Sequence, residues 1–251
     1  MPGGRAVPLA IIVGRHDWAT PKRSHPYDAA MRRPLAEAFG TFALLLAGCG
    51  AMVVDDAFGG AVTHVGVALA WGLVVMVVID AIGDLSGAHI NPAVTIAFWT
   101  DGQFPGRDVG PYLVAQLTGG LAACLMLWLL VPDHPTLGAT VPAIGQARGL
   151  LLETLLSLLL MGVILNVSTG AKEKSLRASM AVGGTVALEA MFAGPACGAS
   201  MNPARSLAPA IVSGDAASLA AVWIYLVGPI TGMLLAVAAT RLIRPPEPAG
   251  G

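Results

Sequence analysis

Two asparagines carry the most suggestive chemistry in this chain. Asn91 opens the triplet Asn91-Pro92-Ala93, and Asn202 opens Asn202-Pro203-Ala204. Asparagine is a favoured helix N-cap because its side-chain oxygen takes an orphan backbone N–H, and proline suits the first helical position. Each triplet therefore reads as a helix start whose cap keeps an amide NH2 free to donate to a passing oxygen. The flanks match as well. Ser86-Gly-Ala-His-Ile-Asn-Pro-Ala-Val-Thr-Ile-Ala97 and Cys197-Gly-Ala-Ser-Met-Asn-Pro-Ala-Arg-Ser-Leu-Ala208 agree at six of twelve positions, 111 residues apart. One such triplet in a soluble protein is only a helix start. Two copies in matched apolar settings imply a shared purpose. The copies differ at one telling place: Arg205 stands three residues after its cap, where the first copy has Val94. A cation on the first turn opposes the helix dipole, so Arg205 is either an arginine snorkelling to water or a charge placed for function.

The elements that hold these residues are apolar. The chain of 251 residues is 55% hydrophobic and 12% charged, with mean hydropathy +0.73. A soluble domain carries about 25% charged residues. The composition is that of a membrane protein, and the fold class expected for it is all-α. The net charge of -1 gives no reason to expect nucleic acid. Cys49, Cys124 and Cys197 are too scattered for a disulfide framework or a zinc site. No metal site and no cofactor are expected.

Six apolar segments, roughly 34–54, 61–82, 109–131, 149–169, 178–196 and 218–240, approach the length of about 20 residues needed to cross the hydrocarbon core. Gly228 and Gly232 stand in a spacing that permits close helix approach. Each half of the chain, about 34–131 and 149–241, holds three spans with one Asn-Pro-Ala segment between its second and third. An odd number of spans inverts the second half. Inverted repeats with short helices point to a site at the membrane midplane. The two half-helices then meet there with their positive ends together, a place that disfavours cations and suits a neutral hydrogen-bonding solute.

Residues 1–33 are expected to form a basic, disordered cytoplasmic tail, with Met31 as an alternative natural start, and 242–251 a short second tail. With both termini cytoplasmic, twelve of the fourteen basic residues face inward, among them Arg107, Lys172, Lys174, Arg177 and Arg241. This agrees with the positive-inside rule. The outward loop 132–147 reads as a plain connector, with Asp133 and His134 solvated, and His64 falls at the outer end of the second helix.

Both Asn-Pro-Ala triplets, Ser86-Gly-Ala-His89 before the first and Asn202-Pro-Ala-Arg-Ser206 in the second resemble the major intrinsic protein family, the aquaporins and aquaglyceroporins, over about residues 34–241. The resemblance implies six tilted transmembrane helices plus two re-entrant half-helices around one pore. It also implies a homotetramer in the lipid bilayer, passive flow, and no enzymatic step. Glu37 and Glu153 would brace the two re-entrant loops through backbone N–H groups, with Gln116 and His89 supporting the first loop. Arg205 would line the narrowest constriction. The family's other filter positions fall on Trp71, Ala190 and Ala199. The Ala190 assignment is sensitive to a one-residue slip onto Glu189.

Strict water channels in the family pair an aromatic with a histidine at the filter, but this chain has no histidine after His134. Trp71 with two alanines and Arg205 is similar instead to plant nodulin-like intrinsic proteins. Their permeants include glycerol and neutral metalloid hydroxides such as arsenous acid. Ser206 follows the arginine where glycerol facilitators carry Asp, which resembles water channels or the nodulin-like proteins; the alternative reading is a water-selective channel. Cys197, five residues before Asn202, is expected either as a mercurial-sensitive thiol at the outer mouth or as a small residue packed beneath the loop. The rivals from other classes are a secondary transporter coupled through Glu37 or Glu153, and a membrane enzyme. The enzyme lacks any nucleophile–base pair. The expected location is the cell (inner) membrane.

Overall fold

The computed structural model describes residues 26–167 and 176–243. The tail residues 1–25, Lys172 and Lys174, and the segment from Arg244 lie outside the described residues. Among the described residues eight helices follow in order: α1 Pro26–Ala57, α2 Thr63–Ser86, α3 Pro92–Thr100, α4 Gly106–Leu130, α5 Gln146–Val167, α6 Leu176–Cys197, α7 Pro203–Ser213 and α8 Ala216–Ile243. Six are long and apolar enough to cross a membrane. The other two, α3 with 9 residues and α7 with 11, are not. At 1.5 Å per residue they are about 14 and 17 Å long, so only end to end would they match a hydrocarbon core of about 30 Å.

Helix α1 extends the expected first span backwards through Met31, Arg32 and Arg33, which the sequence alone leaves in the tail. The reason is tertiary. The Arg33 guanidinium lies over the rings of Phe104 and Tyr112, at 5.8 and 5.9 Å, and 3.7 Å from the Asp108 carboxylate. These contacts anchor the turn before Pro34, a proline inside the helix that removes a backbone hydrogen bond.

The packing repeats about a pseudo-twofold axis. Helix α1 packs on α4 as α5 packs on α8, and α3 against α8 as α7 against α4. Helices α2 and α6 cross on the axis itself. A Cβ on Gly72 would lie 2.6 Å from the Gly183 carbonyl oxygen, and one on Gly183 2.5 Å from that of Gly72. Only glycine lets the backbones approach so closely, and in lipid such contacts replace the missing hydrophobic drive between helices. Gly232 makes a similar approach to the Thr154 carbonyl, and Gly119 to that of Ala38. The charged and amide side chains that the axis brings inward, Glu37, Gln116, Glu153 and Glu189, are fully buried.

Candidate functional site

The loops entering α3 and α7 have the same backbone. Gly87, Ala88 and Ile90 have φ of 88°, 45° and 43°, and Gly198, Ala199 and Met201 have 91°, 42° and 52°. Left-handed conformations at Ala, Ile and Met cost about 1–3 kcal/mol each and persist only where surroundings dictate them. Buried carboxylates supply the constraint. Glu37 accepts from the backbone N–H of His89 at 2.9 Å and of Ile90 at 2.6 Å, from the Ser86 hydroxyl at 2.7 Å and from Gln116 Nε2 at 2.8 Å. Glu153 accepts from the N–H of Ser200 and Met201, both at 2.8 Å, and from the Cys197 thiol at 3.2 Å. Gln116 also donates to Thr95 Oγ1 at 3.0 Å, and His89 Nδ1 lies 3.1 Å from the same oxygen. The His89 ring packs among Phe98, Phe104 and Tyr112.

The two asparagines meet at the centre. Asn91 Oδ1 caps α3 by accepting from Ala93 N–H at 2.9 Å. Asn202 Oδ1 caps α7 by accepting from Ala204 N–H at 3.0 Å and Arg205 N–H at 3.3 Å. Their NH2 groups are not wholly free. Asn91 Nδ2 donates to the Met201 carbonyl at 2.8 Å, and Asn202 Nδ2 to the Ile90 carbonyl at 2.9 Å. Each amide thus ties its own half to the other and keeps one of its two N–H bonds for the cavity. The α3 and α7 N-termini point their partial positive charges, about +0.5 each, at one place.

Both asparagines line a cavity of ≈ 760 Å³ that reaches from Arg33, Asp84 and Gln103 at one mouth to Arg205. Val75, Val94, Leu160 and Val186 contribute to its apolar wall. A second cavity of ≈ 180 Å³ opens beyond it, among Met52, His64, Val67 and Pro195. Four residues line both: Trp71, Ala190, Ala199 and Arg205. They come from α2, α6, the strained loop and α7. The Arg205 Cζ lies 4.5 Å from the Trp71 ring centroid, a cation–π distance. Glu189 is fully buried and lines neither cavity, so the alanine beside it is the residue at the wall.

The structure does not bring Cys197 to a cavity. Its thiol is fully buried and donates to Glu153, and Tyr225 donates to its carbonyl at 2.6 Å, so a mercurial meets no exposed sulfur there. The loop 132–147 also departs from a plain connector. His134 is buried rather than solvated, and the loop returns to the site. The Gly138 carbonyl accepts from Arg205 Nη1 at 2.7 Å. Thr140 Oγ1 lies 2.7 Å from Ser206 Oγ, which lies 2.7 Å from Ser200 Oγ. Arg205 reaches two sulfurs as well, Met52 Sδ at 3.2 Å and Cys49 Sγ at 3.8 Å. None of these partners was signalled by spacing. Glu189 was visible as a lone charge in an apolar span, and both its carboxyl oxygens lack a hydrogen-bond partner. No group of three or more His, Cys, Asp or Glu gathers among the described residues.

Six spans, two half-helices meeting cap to cap, and a cavity running past both caps define a membrane channel. The family model "Major intrinsic protein" matches residues 25–239, and the chain belongs to that family. It is 43% identical to Aquaporin NIP1-1 of Zea mays over 215 residues, 85% of this chain and 75% of that protein. With Aquaporin NIP1-2 of Oryza sativa subsp. japonica it shares 42% over 234 residues, 89% of this chain and 76% of that one. The fold is similar to that of the aquaglyceroporin from Plasmodium falciparum, with a TM-score of 0.77 at 25% identity, covering 84% of this chain and 95% of that structure. The protein is a multi-pass integral membrane channel for small solutes, passive and not an enzyme.

Proposed function

We propose that this channel passes small neutral polyols and metalloid hydroxides, glycerol and arsenous acid among them, together with water, and excludes ions and protons. The filter is the ring of Trp71, Ala190, Ala199 and Arg205. The observation that carries this reading is that these four residues are the wall common to both cavities. Two alanines leave room at the junction, and the Trp71 indole offers an apolar face to a carbon chain. The Arg205 guanidinium donates to hydroxyl oxygens and repels cations, as fixed charges in pores do. Asn91 and Asn202 form the central barrier, each with one N–H for the permeant. Glu37, Glu153, Gln116 and His89 hold the two loops.

Residues 34–241 act as one channel domain. Both termini face the cytoplasm, on the distribution of Lys and Arg, and the membrane is the cell membrane. The assembly is a homotetramer, each subunit with its own pore. Apolar side chains such as Phe39, Val77, Leu129 and Phe192 cover the outside of the bundle and suit lipid or a neighbouring copy.

The test is stopped-flow light scattering of proteoliposomes with water, glycerol and arsenous acid in parallel. Glycerol and arsenous acid flow above empty liposomes is the expected result. Water flow alone would return the reading to a water-selective channel.

A further inference from the structure

We infer that His134 is a positioning residue for the filter, holding the Leu137–Gly138 turn so that the Gly138 carbonyl meets Arg205. The inference rests on the filter role proposed for Arg205.

The contacts form one continuous path. His134 Nδ1 accepts from the Leu137 N–H at 2.9 Å and lies 3.4 Å from the Thr136 nitrogen. A ring nitrogen that accepts carries no proton, so the hydrogen of the neutral imidazole sits on Nε2. Nε2 lies 3.3 Å from the Asp56 carboxylate, a charge contact without a hydrogen bond. The turn that Nδ1 holds is strained. Leu137 has φ 50° and is fully buried, and Gly138 has φ 75°. A leucine stays left-handed only where neighbours leave no alternative. On its other side the turn is wedged against α1, where a Cβ on Gly138 would come within 3.2 Å of Cys49 Cβ.

Helix α1 serves both ends of the path. Cys49, Met52 and Asp56 follow at intervals of three and four residues, which puts them on one stripe of the helix. Cys49 and Met52 touch the Arg205 guanidinium, and Asp56 faces His134. Among the described residues three groups accept from the Arg205 guanidinium, and only the Gly138 carbonyl is an oxygen. Sulfur is a weak acceptor. The arginine's direction therefore depends on that carbonyl, and the carbonyl depends on His134. Without the Nδ1 acceptor, the Leu137 N–H is buried unpaired and the turn relaxes. The guanidinium then turns to the pore for oxygen and narrows the passage for a glycerol-sized solute more than for water.

The experiment compares full-length wild type with His134→Ala, His134→Asn, His134→Gln, Asp56→Ala and Arg205→Val in proteoliposomes, reading water and glycerol permeability by stopped flow. Asn puts an acceptor oxygen near the Nδ1 position, whereas Gln reaches only toward Asp56. His134→Ala and His134→Gln are expected to lower glycerol flow about fivefold, the size of one ordinary hydrogen bond, with water little changed. His134→Asn is expected to stay near wild type. Asp56 is exposed, so Asp56→Ala leaves the fold intact even if the histidine variants do not assemble. It is expected to shift the glycerol-to-water ratio in the same direction by about twofold, as a weaker surface contact would. An unchanged ratio in Asp56→Ala and His134→Ala, or a His134→Asn that behaves like His134→Ala, overturns the inference. A ratio that moves in Arg205→Val but not in the His134 variants leaves the filter standing and removes only His134. A ratio unmoved by Arg205→Val removes the filter itself.

Discussion

The loops before Asn91 and Asn202 share a backbone but not their supports. The left-handed residues, the capping oxygens and the crossed amides repeat at a spacing of 111 residues. Around the first loop Glu37 receives four donors, and Gln116 bridges it to Thr95, so its hydrogen bonds come from helices, with Phe104 of the α3–α4 connection packed on His89. Around the second, Glu153 receives three, one of them a thiol. There the remaining support comes from the 132–147 loop, through Gly138 to Arg205 and Thr140 to Ser206. The repeat thus duplicates the barrier and varies what surrounds it. The half that departs from symmetry is the half that carries the charge at the four-residue junction.

Breaking the carboxylates should test this difference most severely. Glu37→Leu orphans four buried donors and Glu153→Leu three, at about 1–3 kcal/mol for each. Both variants should lose folded protein on size-exclusion chromatography, with the lower melting temperature in Glu37→Leu. The reverse order would mean that the second loop depends on its carboxylate more than its donor count indicates.

Removing the charge comes next. Arg205→Val makes the second half resemble the first, which has Val94 there. Cation leakage should rise by about tenfold, a barrier loss of about 1.4 kcal/mol, measured as potassium conductance across planar bilayers. Unchanged conductance would assign the ion barrier to the two helix ends alone.

Ala190→His fills the junction opposite Trp71. Glycerol flow should fall about tenfold and water flow about twofold, because a pocket discriminates by about 1–3 kcal/mol per small change in fit. Equal losses would mean that residue 190 does not line the constriction.

The smallest effect sharpens the comparison from the other side. Ser86 and Cys197 occupy equivalent places in the two repeats, and each donates to its carboxylate. Cys197→Ser substitutes a stronger donor and should raise stability by about 0.5–1 kcal/mol, read as a higher melting temperature with unchanged permeability. A lower melting temperature would mean that the larger sulfur is needed for packing.

Much of this architecture could be read from residue types. Low charge and six apolar runs specify spanning helices, and Asn before Pro specifies where a half-helix must start. Both are local properties of the chain. The carboxylates stood out because a membrane interior leaves them few partners. What escaped was long-range. Gly138 lies 67 residues from Arg205 and Thr140 66 from Ser206, and no periodicity links them. His134 sits in a segment rich in Pro, Gly and Thr that resembles any surface loop, and only the folded chain buries it. Arg33 joined α1 for a similar reason, through aromatic rings more than seventy residues away.

The claim that the four-residue junction sets what passes is tested most directly on the wild-type protein. Purified channel in potassium-loaded liposomes, challenged with glycerol in a stopped-flow cuvette, should swell faster than empty liposomes while holding its potassium. Glycerol entry no faster than in empty liposomes, or potassium loss alongside it, would contradict the account.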